Sequence, residues 1–168
     1  MRRVLESKVI LWFSIMAASM LIFYFVMVHL LGSWYYRHVA EIAVIILRML
    51  EVPSDVDGNV IAASIRDKWT FIRVGWECSG VVSMTVFTGL VAGFPQTSIR
   101  RKLIGLSLGY SAIFIGNLLR IILIIYLSHT FPNISYILFH DFFGRPLSFI
   151  WMTIIWFFWF YYTFITKQ

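Results

Sequence analysis

Charge is scarce in this chain. Of its 168 residues, 13% are Asp, Glu, Lys or Arg, and only eight are acidic. There is one cysteine, Cys78, so no intrachain disulfide and no two-cysteine metal spacing can form. No low-complexity tract, internal repeat or Pro/Gly-rich linker divides the sequence, so a single domain over 1–168 is expected. What fills the chain is apolar: 60% hydrophobic and 18% aromatic, a composition outside the range of soluble domains. The expected fold class is an all-α polytopic membrane protein.

About 20 apolar residues in a helix cross the roughly 30 Å hydrocarbon core. Runs of that order predict four spans, at about 9–31, 78–94, 103–127 and 147–165. The first follows Arg2, Arg3 and Lys8, as a signal peptide would, but it exceeds the roughly 7–15 apolar residues of a cleavable signal and reads as a retained span. Residues 39–50 are apolar too, yet the stretch is short and carries Glu41 and Arg48, which suits an outer-face amphipathic helix. The Asp57-Gly58-Asn59 turn signal and the alternation over 68–74 add a short β-hairpin before Cys78.

Charge sets the orientation. The termini and the loop at 96–102 hold Arg2, Arg3, Lys8, Arg100, Arg101, Lys102 and Lys167 against Glu6, which is the whole net charge of +6; the rest of the chain is balanced. The positive-inside pattern puts both termini in the cytoplasm of a multi-pass cell (plasma or inner) membrane protein and leaves 32–77 and 128–146 extracytoplasmic. The basic balance is topological and gives no reason to expect nucleic acid as a partner; membrane lipids surround the chain.

Three elements carry candidate chemistry at the outer depth. Cys78 stands where a polar stretch becomes a helix, and unpaired N–H groups at a helix start favour a thiolate. Arg120, in Gly116-Asn117-Leu118-Leu119-Arg120, lies about 25 Å along the third span, and an arginine in a span needs a partner or a task. The outer loop supplies His140, Asp141 and Arg145, and histidine is the usual proton carrier beside a nucleophilic thiol. Gly105, Gly109, Ala112, Gly116 and Arg120 share one helix face; Cys78, Val82, Thr85, Gly89 and Gly93 share another. Packing of these two small-residue faces is expected to bring Cys78 to Arg120.

The residues alone leave other readings open. Cys78 can be an apolar filler, Arg120 a snorkelling or Glu77-paired structural cation, and His140 an interfacial loop residue. A non-catalytic membrane assembly or scaffold protein is one alternative. Another is a small transporter or haem-binding bundle using His29 and His129, although the polar groups cluster at the outer end instead of lining a path.

Glu77-Cys78-Ser79-Gly80 opening one span, Asn117-Leu118-Leu119-Arg120 in the next and His140-Asp141 before the last resemble, in order and spacing, the exosortase and archaeosortase family, from about Arg73 onward. That resemblance implies a membrane cysteine transpeptidase. Its substrates would be secreted proteins bearing a C-terminal motif, a transmembrane helix and a basic tail, cleaved through a thioester and passed to a lipid, glycan or other acceptor on the cell surface. It implies Cys78 as nucleophile, Arg120 as essential arginine and His140 as third group, with Asn117, Asp141 and Glu77 in support and Arg145 as rival to His140; no cofactor or metal is implied. Many members have about eight spans, so the chain is expected to be a minimal catalytic core. The acidic residue of the bacterial motif lies two before the cysteine, whereas Glu77 adjoins it.

Overall fold

Helix α1, Arg2–Phe25, forms from a long run free of Pro and Gly and continues through one π-helical turn, Val26–Leu30. The computed structural model describes residues 2–65, 68–95, 97–131 and 144–165; His140 and Asp141, with most of the expected outer loop, lie outside them. Helix α2, Gly32–Met49, begins seven residues before the expected amphipathic stretch. Buried Tyr36 extends the apolar face of Val39, Ala40, Ala43, Val44 and Leu47 backwards, and Arg37 and His38 both reach Glu41 one turn on, at 2.8 and 2.9 Å.

Strands β1 (Ser54–Asp57), β2 (Val60–Ile65) and β3 (Lys68–Arg73) make an antiparallel sheet in the order β1-β2-β3. The pair Asp57↔Val60 closes a two-residue turn in which Gly58 takes φ +57°. Ile61, Ala63 and Ile65 of β2 alternate inward and form one core with Val44 and Leu47 of α2 and with Ile121, Ile122 and Ile125 from the last third of α4.

Helix α4, Ile99–Thr130, thus runs 32 residues, about 48 Å, well past a single bilayer crossing. Its last third is the sheet's packing partner, and the expected span 103–127 lies within this helix. His129 ties the same region down, its Nδ1 2.7 Å from the Ser64 carbonyl oxygen. Helix α3, Val81–Gly93, has only 13 residues and rises about 20 Å. It begins three residues into the segment expected at 78–94, because the chain turns before Val81.

Helix α5, Arg145–Ile165, is antiparallel to α4 and joined to it by a repeated device. A Cβ on Gly105 would lie 2.0 Å from Trp159 Nε1, and one on Gly116 would lie 2.1 Å from Trp151 Nε1, so each indole rests on bare backbone. Each also donates to the carbonyl one turn back, Trp159 to Arg101 at 3.4 Å and Trp151 to Ala112 at 3.0 Å. The glycines of α3 face elsewhere: Gly89 and Gly93 receive Met20 and Met16 of α1. The expected packing of two small-residue faces is therefore corrected. Glycine marks a close approach, and the bulky partners on α1 and α5 decide which helix makes it. Only Gly109 meets α3, under the ring of Phe87.

Among the described residues two helices, Lys8–Leu30 and Ile99–Thr130, are long and apolar enough to cross a membrane. The flanks of α1 and α5 leave large apolar side chains uncovered, Leu21 at 70% and Phe158 at 72%, surfaces that suit hydrocarbon and not water.

Candidate active site

Ahead of α3 the chain makes a tight turn. The amides of Cys78 and Ser79 both donate to the Gly75 carbonyl, at 3.1 and 2.9 Å, and Gly80 caps the helix at φ +86°. An L side chain is strained at that φ, and a Cβ there would also press to 3.3 Å on Asn117. Cys78 consequently stands three residues before α3 and does not open it. The helix field, which fades within about a turn, reaches the thiol more weakly than the sequence implied.

Three elements pin this turn. Asn117 Nδ2 of α4 donates to the Cys78 carbonyl at 2.5 Å. The Tyr35 hydroxyl of α2 donates to the Ser79 carbonyl at 3.0 Å. Burial, and then neighbouring Tyr36, pushes the Tyr35 phenol up to about 12, so it stays a protonated donor at any working pH. From the sheet, Asn59 Nδ2 donates to the Val74 carbonyl while the Val74 amide donates back to Asn59, both at 2.8 Å. Ser79 is fully buried, its hydroxyl without a partner among the described residues.

Arg120 is 6% exposed. Its Nη1 donates to the Gly144 carbonyl at 3.1 Å and to Ser148 Oγ at 2.6 Å, and Ser148 Oγ donates to Gly144 at 3.2 Å. The guanidinium is thus built into the start of α5. Cys78 and Arg120 line one narrow cleft with Ile72, Val74 and three isoleucines of α4, and its volume of about 10 Å³ holds barely one water. On its other side Arg120 borders a larger apolar cavity of about 430 Å³ between α4 and α5, with Asn117, Ser83, Ser148 and Trp151 in its wall.

Of the residues expected to act, the structure brings together Cys78, Arg120 and Asn117, leaves Glu77 exposed, and sets Arg145 at the head of α5. Tyr35 and Ser148 were missed. Both contacts depend on tertiary packing that leaves no local signal.

A cysteine and a buried arginine joined at one end of an apolar helical bundle define a class of membrane protein with a polar site on an apolar scaffold. The family model described as Transmembrane exosortase (Exosortase_EpsH) matches residues 6–157, and the chain belongs to that family. No curated protein and no solved structure gives a significant match. The protein is accordingly a membrane protein of a family linked to protein sorting.

Proposed function

We propose that this chain is a membrane cysteine transpeptidase that removes the C-terminal sorting segment of secreted proteins on the outer face of the cell membrane. The observation that carries the reading is the shared cleft of Cys78 and Arg120, with Asn117 holding the backbone of the cysteine. The Cys78 thiolate attacks the scissile carbonyl carbon, and the C–N bond breaks as the departing amine takes a proton from His140. The resulting thioester is then attacked by an acceptor nucleophile on a lipid or glycan, which yields its proton to His140 and expels the Cys78 thiolate, restoring the starting state. Arg120 stabilises the anionic oxygen of each tetrahedral state, a task worth about 3 kcal/mol for one well-placed donor. Asp141 orients the imidazole, Arg145 is the rival third group, and Glu77, being exposed, helps at the rim.

In this proposal α1, α3, α4 and α5 are four passes of one domain with both termini cytoplasmic. Because α3 is short, Cys78 sits recessed toward the hydrocarbon, where a membrane-anchored substrate presents its cleavage site. Co-expression with a secreted protein ending in a motif, a transmembrane helix and a basic tail tests the reading by mass spectrometry of the substrate's C-terminus. Loss of the segment with the native chain and its retention with Cys78→Ala are expected. Cleavage unaffected by Cys78→Ala would refute it.

A further inference from the structure

At the other end of α4 lies a second, larger groove of about 920 Å³, between α4 and α5. Its walls are the exposed side chains of Ile104 and Leu108 on α4 and Phe158 on α5, with Trp159 seated between the helices, and its end is lined by Arg100 and Arg101. Twenty residues of helix, about 30 Å, separate Arg100 from Arg120, so the basic end stands roughly one hydrocarbon thickness from the cysteine site. A separate observation marks this end as a binding place. Helix hydroxyls in this protein ordinarily bond to the carbonyl one turn back, as Thr85, Thr88, Thr130 and Thr153 do at 2.6 to 2.9 Å. Thr163 does not. It is 1% exposed, lines the groove, and its Oγ1 has no partner among the described residues, while its carbonyl lies 3.5 Å from Arg101 Nη1. A buried hydroxyl in that condition costs about 1–3 kcal/mol unless something bonds to it.

We infer that this groove binds one anionic phospholipid of the bilayer, its acyl chains along Ile104, Leu108 and Phe158 and its phosphate held by Arg100, Arg101 and the Thr163 hydroxyl. Charge selects this occupant, since a helix with a basic tail would meet like charge at the same place, whereas an anionic headgroup meets two guanidinium groups and an unsatisfied donor. Basic recesses between membrane helices on the cytoplasmic side are suited to such headgroups.

The test uses the full chain in phosphatidylcholine vesicles containing a small fraction of brominated phosphatidylglycerol or, in parallel, brominated phosphatidylcholine, with tryptophan quenching as readout. Phosphatidylglycerol is expected to quench at a mole fraction at least tenfold lower. Arg100→Gln with Arg101→Gln removes that preference, at about fivefold per charge. Thr163→Val, which keeps every charge, lowers it about fivefold. Arg2→Gln with Arg3→Gln leaves it intact. Equal quenching by the two lipids overturns the inference, as does an equal loss in the Arg2/Arg3 variant, which would make the attraction diffuse. It also fails if Thr163→Val and the Arg100/Arg101 variant both keep the preference, or if a co-reconstituted transmembrane peptide with a lysine tail displaces the quencher, which would give the groove to a protein helix.

Discussion

The two ends of α4 carry arginines in opposite circumstances. Arg120 is enclosed, with its partners at the head of α5 and its neighbour Asn117 bonded to the cysteine turn. Arg100 and Arg101 line an open groove. Both ends rest on the same Trp-on-Gly joint, so the scaffold is alike and the difference lies in how far each cation's geometry is fixed. A guanidinium whose donors are held in place acts by position and direction; one at the rim of an open groove acts by charge.

The sharpest test of that contrast keeps charge and changes shape. Arg120→Lys is expected to lower substrate processing at least about tenfold, because a point charge cannot reproduce the planar donor set that meets Gly144 and Ser148. Arg100→Lys with Arg101→Lys should preserve the anionic-lipid preference. Equal sensitivity at both ends, measured by processing and by quenching, would dissolve the distinction. Next in size is Gly80→Ala at the enclosed end. Its φ of +86° and the 3.3 Å approach to Asn117 predict a loss of about 1–2 kcal/mol in detergent unfolding. The smallest effect is expected at an exposed surface arginine, Arg37. Its hydrogen bond, then that of His38, holds the Glu41 carboxyl below its usual range. Any stabilisation from that shift is present above the ordinary glutamate pKa and disappears as pH falls through the depressed one. Glu41→Gln should leave Tm at pH 7 within about a degree of the parent and reduce its dependence on acid.

Depth along a helix was legible in the sequence. Counting 1.5 Å per residue brought Arg120 to the level of Cys78, and the two do share a cleft. The contact expected to cause it was not the one that does. Gly89, Gly93, Gly105 and Gly116 announce that something comes close, but the identity of the neighbour resides in Met16, Met20, Trp151 and Trp159, whose bulk reads in sequence as ordinary membrane apolarity. The turn at Asp57-Gly58-Asn59 carries a local chemical signal and stands between β1 and β2. The task of Asn59, to clamp Val74 fifteen residues on, has no such signal. Tyr35 likewise looks like one aromatic among many until α2 folds back on the cysteine turn.

Arg120's hold on the Gly144 carbonyl closes a ring of 24 residues of chain. Its two ends are the head of α5 and the stretch of α4 that lines the cysteine cleft, so a shift of α5 at Gly144 or Ser148 would be felt at the guanidinium beside Cys78.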